Sequence, residues 1–273
     1  MKKIIKILLL ISVIMSIYVT FIEPNLFIMK KYKLGNQTET TNEPFKVIQF
    51  TDTQLGDFYN LNQLEKVVNK INKENPDIVV FTGDLVDHAF EYEELDQVSE
   101  ILSKIQSKSG KYAIWGNHDY GGGGNRYYAD ILKASGFQLL VNETKIVEKN
   151  NQKYEIIGID DGLYGEAEVD QILSKLEPAN YNILLIHEPD LMDNYLSGSI
   201  DLGLAGHSHG GQVALPVIGA IAKVPLGKKY TKGFYDFENN RKSKLFVSSG
   251  LGSTKLPFRF LNIPEAVLFE IYP

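Results

Sequence analysis

Short apolar segments, each bounded by polar or turn-forming residues, recur along most of this chain. They are rich in Ile, Val, Phe and Tyr, which is typical of buried β-strands. The pattern predicts strands at residues 45–50, 78–81, 112–115, 154–159, 181–186, 202–205, 245–247 and 266–271.

Between some of these segments, apolar residues recur every three or four positions, which predicts amphipathic helices. Residues 61–75 and 95–107 show this spacing over several turns, and residues 127–134 and 169–176 show it over shorter lengths. Strands and helices alternate in the first part of the chain, and strands dominate in the later part. This order predicts one layered α/β domain in which the late strands form a second sheet.

The beginning of the chain has a different pattern, a continuous apolar run at residues 4–22 that only Lys6 and three Ser or Thr residues interrupt. As a helix this run would be about 28 Å long, close to the ~30 Å core of a bilayer. We expect an uncleaved membrane anchor at residues 1–23 and a domain at residues 24–273. The alternatives are a cleaved signal peptide, although residues 16–23 contain no cleavage motif of small residues, and a buried core helix.

Charged residues around this run predict its orientation. Lys2, Lys3 and Lys6 lie before or near its start, which places the N-terminus in the cytoplasm and the domain outside the cell membrane. Three more lysines follow the run, at positions 30, 31 and 33, and weaken this prediction unless they belong to the first strand of the domain.

Two other segments have unusual compositions. Residues 35–44 (GNQTETTNEP) are polar and aperiodic, which predicts a loop or hairpin connection, and the triplet that begins at Asn36 matches a glycosylation sequon. Residues 216–226 (PVIGAIAKVPL) are more apolar than a surface loop requires. They either belong to the core or form an exposed rim that contacts lipid and admits an acyl chain.

The composition excludes several classes of function. The 273 residues include no cysteine, which rules out disulfides, thiolate metal sites and cysteine nucleophiles. The formal net charge is −6, so nucleic acid is not an expected partner. An anionic substrate must therefore be attracted locally, by bound cations or by a few basic side chains.

Polar residues that can bind metal ions occur where the predicted strands end, and such strand ends are where α/β proteins bind ligands. Four of the five histidines are among them. Imidazole, carboxylate and amide groups together suit Zn, Mn or Fe, and they outnumber the ligands that one ion needs. The candidate residues are Asp52, Gln54, Asp84, Asn117, His118, His187, His207 and His209.

In their order along the chain, these motifs resemble those of the calcineurin-like metallophosphoesterase family. The family pattern is D-x-H, GDxxD, GNHD, a single His and GHxH, and this chain reads DTQ, GDLVD, GNHD, His187 and GHSH. The resemblance extends from about residue 45 to the end of the chain. The GGQV and LP that follow GHSH, and the pair Pro264-Glu265, are similar to a membrane-anchored branch that includes bacterial phosphodiesterases related to lipid metabolism.

The resemblance implies a four-layer α-β-β-α sandwich of two mixed sheets and a centre of two divalent metal ions, with Mn, Fe or Zn as candidates. The implied ligands are Asp84 for both ions, Asp52 and His209 for the first, and Asn117, His187 and His207 for the second. A hydroxide activated by both ions would attack phosphorus, and His118 would protonate the leaving group. The implied reaction is phosphoester hydrolysis near a membrane surface, with a diester favoured, on a lipid-linked or nucleotide-type substrate.

Gln54 departs from the family pattern, which has His at this position. Its amide oxygen is a harder and weaker donor than imidazole, so the first ion could be bound weakly, be of a different element, or bind a water in place of Gln54. One alternative function is therefore a metal-binding scaffold that has lost catalysis through Gln54. Another is a cytoplasmic-facing phosphatase of soluble nucleotides.

Four more polar residues are candidates for roles at the site. Asp119 either orients His118 or is a surface aspartate, and Asp87 is expected to be a structural cap beside the metal loop. Arg259 and Arg126 are considered as phosphate contacts, with a solvated surface position as the alternative for Arg126.

Overall fold

The computed structural model describes residues 1–35, 43–215 and 217–272. The predicted loop at residues 35–44 and the Asn36 sequon therefore lie wholly or mostly outside the described residues. The α-helices within the described ranges are α1 (Lys2–Ile17), α2 (Leu61–Glu74), α3 (Leu95–Ser103), α4 (Asn117–Tyr120), α5 (Tyr128–Ala134) and α6 (Val169–Leu173). The strands are β1 (Ile28–Leu34), β2 (Phe45–Phe50), β3 (Ile78–Phe81), β4 (Lys111–Ala113), β5 (Gln138–Leu139), β6 (Glu143–Lys149), β7 (Gln152–Gly158), β8 (Tyr181–Leu185), β9 (Leu202–Ala205), β10 (Ala214–Leu215), β11 (Gly219–Ala220), β12 (Gly233–Asp236), β13 (Lys244–Val247) and β14 (Glu265–Ile271).

The strands form two large mixed sheets. The first sheet has the order β1-β14-β2-β3-β4-β5, and β2, β3 and β4 run parallel within it. The second sheet has the order β12-β13-β9-β8-β7-β6, with β7, β8, β9 and β13 parallel. β10 and β11 pair separately as a short antiparallel hairpin.

Side chains alternate across each strand, and the two faces of each sheet are both covered. On β3, Val79 belongs to a core formed with α2, α3 and α5, whereas Val80 belongs to a core between the two sheets. A third core covers the outer face of the second sheet, where Ile172 of α6 and Met192 pack. The predicted four-layer α-β-β-α sandwich is therefore confirmed.

Local sequence explains the longest helix of the domain. Asn60 caps α2 by accepting the backbone N–H of Gln63, whose side chain in turn accepts the backbone N–H of Asn60. The apolar stripe that the sequence predicts is buried against the first sheet, and the helix ends where Asn75 adopts a left-handed conformation.

One part of the predicted topology is wrong. The last strand, β14, lies in the first sheet between β1 and β2, not in the second sheet with the other late strands. Both faces of β14 are buried, with Leu268 in the core against the helices and Phe269 in the core between the sheets. A strand that is apolar on both faces fits either sheet, so its hydrophobic pattern does not identify its neighbours.

The N-terminal segment continues from α1 through a π-helical turn and a 3₁₀ turn to Asn25, and it is long and apolar enough to cross a bilayer. The side chains of α1 are exposed, which excludes the buried core helix as an interpretation. The backbone N–H of Arg259 donates to the carbonyl oxygen of Val19 at 3.0 Å, so the end of this segment is attached to the domain. The boundary after residue 23 stays a prediction, although Glu23 is itself fully buried.

Candidate metal centre

The carboxyl ends of parallel strands from both sheets meet at one place. Asp52 and Asp84 follow β2 and β3, and Asn117 is the first residue of α4 after β4. His187 follows β8 in the second sheet, and His207 and His209 follow β9. The structure thereby brings together all six residues that the motifs single out as principal ligands.

Their ligand atoms form two adjoining groups. The carboxylates of Asp52 and Asp84 and the ring of His209 offer atoms within 4.8 Å of one another, and His187, Glu188 and His207 do the same. The second of these groups was not predicted as such, because Glu188 belongs to no family motif, although it directly follows His187 in the sequence.

Direct contacts connect the two groups. His187 Nε2 lies 3.3 Å from Asp84 Oδ2 and 3.2 Å from Asn117 Oδ1. Asn117 Oδ1 also lies 2.8 Å from His207 Nδ1, and His209 Nε2 lies 3.5 Å from an Asp52 oxygen. Asp84 therefore lies where a ligand shared by both groups would lie, and Asn117 lies between His187 and His207.

Each of the three histidines is oriented by a backbone carbonyl. His187 Nδ1 lies 2.6 Å from the carbonyl oxygen of Thr82, and His209 Nδ1 lies 3.2 Å from that of Gly252. His207 is reversed, with Nε2 2.7 Å from the carbonyl oxygen of Pro225 and Nδ1 toward the cluster. A ring that donates one N–H to a carbonyl presents the other nitrogen as a lone pair, which is how metal-binding histidines are held.

Gln54 reaches the same cluster. Its Nε2 donates to Asp84 Oδ2 at 2.7 Å, and its Oε1 is buried with no hydrogen-bond partner among the described residues. A half-turn of the amide exchanges these two atoms and directs the oxygen toward Asp84 Oδ2. The unpartnered oxygen fits a ligand to the first ion, which is one of the roles left open for Gln54 by the sequence, and that role stays a prediction.

Electrostatics in the cluster favour a cation. Burial raises the pKa of Asp52 to about 6, and the neighbouring Asp84 adds to the effect. Burial opposes a charged His187, but Asp84 and Asp52 raise the pKa of that ring above its usual range. Burial lowers the pKa of His207 to about 4 and that of His209 to about 3, so both rings remain neutral donors. These residues fit two divalent ions.

At two glycines of the motifs, any side chain would clash with a carboxylate of the cluster. A Cβ added at Gly206 would lie 2.3 Å from Asp52 Oδ2, and one added at Gly116 would lie 2.4 Å from Asp84 Oδ1. The glycines of GHSH and GNHD therefore let a second backbone segment approach each carboxylate closely.

Left-handed backbone conformations are concentrated at the cluster. Non-glycine residues rarely adopt positive φ, because the Cβ clashes with the backbone at a cost of about 1–3 kcal/mol. The φ angles lie between 46° and 65° at Asp52, Gln54, Asp84, His207 and His209. These turns re-aim the side chains at the point where each strand ends.

The structure reverses the predicted roles of two aspartates. Asp119 does not orient His118; its carboxylate accepts the backbone N–H groups of Asp84 at 2.7 Å, Leu85 at 2.9 Å and Gly116 at 2.9 Å. Burial, with the charge of Asp84, raises the pKa of Asp119 to about 7. Asp119 thus fixes the GDLVD loop against α4.

Asp87, and not Asp119, contacts the ring of His118. His118 Nδ1 lies 3.0 Å from Asp87 Oδ1 and 3.2 Å from its backbone oxygen. Burial lowers the pKa of His118, but hydrogen bonding to Asp87 and the charge of Asp84 outweigh it and raise the pKa to about 9. The sequence signal was present, since Asp87 ends the GDLVD motif, but spacing does not indicate which aspartate contacts the ring.

A pocket of about 390 Å³ opens above the cluster, and Asp84, Asn117, His118, His207 and His209 contribute to its wall. Tyr164, Lys223 and Lys255 also line this pocket. These three residues were missed because they lie in loops that carry no recognisable motif.

Neither arginine lies in a position to contact phosphate in this pocket. Arg259 is fully buried, and its guanidinium donates to the backbone oxygens of Asn262, Ser249 and Gly252. Arg126 packs over the ring of Phe90 at 4.9 Å. The prediction for Arg259 was wrong because a single arginine in a loop gives no sign of burial.

The end of the N-terminal segment is linked to the cluster. The buried Glu23 accepts the backbone N–H of Asn262 through Oε1. The side-chain amide of Asn262 donates to the carbonyl oxygen of His209. Two hydrogen bonds therefore join Glu23 to a predicted metal ligand.

The fold and the cluster together define a class, since paired sheets that direct His, Asp and Asn side chains from their strand ends into one buried site are typical of metal-dependent phosphoester hydrolases. Residues 45–211 match the calcineurin-like phosphoesterase family, and the chain belongs to it. The protein is accordingly a metallophosphoesterase, a hydrolase of phosphate esters from a family that depends on two metal ions.

Three relatives illustrate the extent of this similarity. The uncharacterized metallophosphoesterase YkuE of Bacillus subtilis (strain 168) is 35% identical over 256 residues, which cover 93% of this chain and 88% of YkuE. An uncharacterized metallophosphoesterase of Aquifex aeolicus (strain VF5) is 30% identical over 271 residues, or 96% and 97% of the two chains. The phosphodiesterase YaeI of Escherichia coli (strain K12) is 25% identical over 258 residues, or 93% and 92%.

Proposed function

We propose that this protein hydrolyses phosphodiesters near a membrane surface, with two divalent ions held by the residues of the cluster. The first ion would be held by Asp52, Gln54 and His209, the second by Asn117, His187 and His207, and both by Asp84. The observation that carries this proposal is the convergence of these donors, all buried except the half-buried Asn117, with each histidine oriented by a backbone carbonyl.

The two ions would supply an activated nucleophile at neutral pH and positive charge beside the phosphoryl oxygens. We propose that His118 donates a proton to the leaving oxygen. Asp87 holds its Nδ1, which leaves Nε2 free toward the pocket that the ring lines. A positioned acid of this kind contributes about 10²–10⁴-fold to a rate.

A diester is the proposed substrate for two reasons. The similar protein YaeI bears the name phosphodiesterase. The pocket extends beyond the cluster to Tyr164, Lys223 and Lys255, which gives room for a second substituent on phosphorus. A lipid-linked phosphodiester is favoured over a soluble nucleotide because the N-terminal segment can hold the domain at a bilayer.

The test is hydrolysis by the full-length protein, purified in detergent, freed of metal by chelation and supplied with Mn, Zn, Fe or Mg. We expect metal-dependent turnover of bis-p-nitrophenyl phosphate that exceeds turnover of p-nitrophenyl phosphate and falls to background in Asp84→Asn. Metal analysis should give two ions per chain. One tightly bound ion per chain without turnover of either compound would instead support the non-catalytic scaffold.

The side of the membrane is a separate part of the proposal. We propose a single-pass cell-membrane protein whose domain lies outside the cytoplasm. The chain has no cysteine, so a single Lys153→Cys variant offers one thiol on the exposed part of β7. A membrane-impermeant maleimide should label it in intact cells. Labelling only after lysis would place the domain in the cytoplasm and favour the nucleotide alternative.

A further inference from the structure

Large apolar side chains are exposed at the edge of the pocket. Residues around the β10–β11 hairpin and in the segment before β14 form this surface, which we name the apolar rim. Its members and their exposed fractions are Val217 (108%), Ile218 (73%), Ile221 (59%), Leu256 (55%), Phe258 (38%) and Leu261 (51%). The segment at residues 216–226 is thus an exposed rim in its described part, and not core.

Backbone hydrogen bonds connect both parts of the apolar rim with the N-terminal segment. The Ala214 N–H donates to the carbonyl oxygen of Phe260 at 2.9 Å, and Val213 forms a bridge with Phe260. The neighbouring residue, Arg259, donates its N–H to the carbonyl oxygen of Val19. Val19 lies near the end of the apolar run at residues 4–22, so the rim is attached where that run would leave a bilayer.

Charge around the apolar rim suits an anionic membrane surface. The chain has a net charge of −6, yet residues 202–235 contain four lysines and no acidic residue. One of the four, Lys229, pairs with Asp193 from outside this range, and the other three are Lys223, Lys228 and Lys232. Residues 250–264 likewise contain no acidic residue, and their exposed basic residue is Lys255, since Arg259 is buried. Exposed apolar side chains bordered by lysines are typical of surfaces that insert into the boundary between headgroups and acyl chains.

The pocket continues directly from the apolar rim. Ile221 is followed by Ala222 and Lys223, which line the pocket, and Lys255, which also lines it, is followed by Leu256. We propose that the apolar rim inserts into the bilayer that holds the N-terminal segment, so that the pocket opens at the level of the lipid headgroups. This membrane contact extends the proposed function but can be tested without any turnover.

The test uses depth-dependent quenching in the full-length protein. Single-cysteine variants Ile218→Cys and Leu256→Cys carry an environment-sensitive fluorophore, and Ile146→Cys is the matched control. Ile146 is an isoleucine with 53% exposure on β6, at the opposite edge of the second sheet from β12. The proteins are reconstituted in vesicles of phosphatidylcholine and phosphatidylglycerol with nitroxide lipids.

We expect nitroxide lipids to quench the labels at Ile218 and Leu256 several-fold more than the label at Ile146. Equal quenching at all three positions would overturn the proposal. Anchoring by the N-terminal segment alone would then account for the distance of every label from the vesicle. Protection of the rim labels from aqueous iodide without quenching by lipid would also overturn it, since a second protein copy would then cover the rim.

A second measurement separates this contact from catalysis. The triple variant Val217→Asp, Ile218→Asp and Ile221→Asp should lose most hydrolysis of a phosphodiester embedded in vesicles, while it retains hydrolysis of bis-p-nitrophenyl phosphate. The control Ile146→Asp should retain both. Equal hydrolysis of the embedded substrate by the triple variant and the control would contradict the rim's role. Absence of turnover in the unaltered protein would contradict the proposed function and leave the quenching result to decide the contact.

Discussion

The metal-binding end of the sheets and the mouth of the pocket above it are built in opposite ways. At the cluster, predicted ligands such as Asp52 and His187 are fully buried, and backbone groups fix their rings and carboxylates. At the mouth, Lys255 and the apolar rim are exposed and lie in loops. The difference implies that the cluster determines the chemistry, while the mouth determines which phosphoester reaches it and from where.

Among the variants that test this comparison, His118→Ala should have the largest effect on turnover. We expect kcat to fall by about 10²–10⁴-fold, because no acid then protonates the leaving oxygen, while metal content stays unchanged. Turnover and metal analysis of the full-length protein measure both quantities. His88→Ala is the control, since His88 is exposed outside the pocket lining and should be replaceable. Unchanged turnover of His118→Ala would show that His118 does not protonate the leaving oxygen.

Crowding at the cluster predicts the next effect. Gly206→Ala should destabilise the fold by about 1–3 kcal/mol and weaken metal binding, because the new Cβ must displace the Asp52 carboxylate. Gly121→Ala should cost less, since its Cβ would lie 3.3 Å from the Asn117 carbonyl oxygen and a shift of a few tenths of an ångström relieves that contact. Thermal unfolding with and without added metal distinguishes the two variants. Equal stability of both variants would mean that the cluster accommodates an added Cβ as readily as the loops do.

The departure from the family pattern at Gln54 gives a third test. Gln54→His should tighten binding of the more weakly held ion by about tenfold, because imidazole is a stronger donor to Zn or Mn than an amide oxygen. Metal titration followed by isothermal calorimetry measures the change. Unaltered affinity for both ions would show that residue 54 acts only through its hydrogen bond to Asp84.

The mouth should respond more weakly and in a different kinetic parameter. Lys223→Ala and Lys255→Ala should each raise KM for an anionic diester roughly fivefold or less, with kcat retained, because exposed charges contribute at most about 1 kcal/mol. Lys242→Ala, an exposed lysine outside the pocket lining, is the control. A fall in kcat instead would mean that these lysines act on the reaction itself.

The sequence predicted the cluster better than its surroundings. Ligands such as Asp84 and His207 lie directly after strands and in ordered motifs, so local pattern was enough to find them. The contact between Asp87 and His118, the burial of Arg259 and the place of β14 depend on segments far apart in the chain. Hydrophobic periodicity carries no information about such pairings, and the exposure of Ile218 likewise depends on what the rest of the fold leaves uncovered.

The left-handed backbone at five of the predicted ligands has a consequence for engineering this protein. Glycine at a position such as His207 would relieve the strain of that turn and could raise stability, yet it would remove a donor from the cluster. A selection for thermal stability alone would therefore favour substitutions that erase activity. Stabilising changes should be sought in the outer helices and loops, and every selection step should include an assay of turnover.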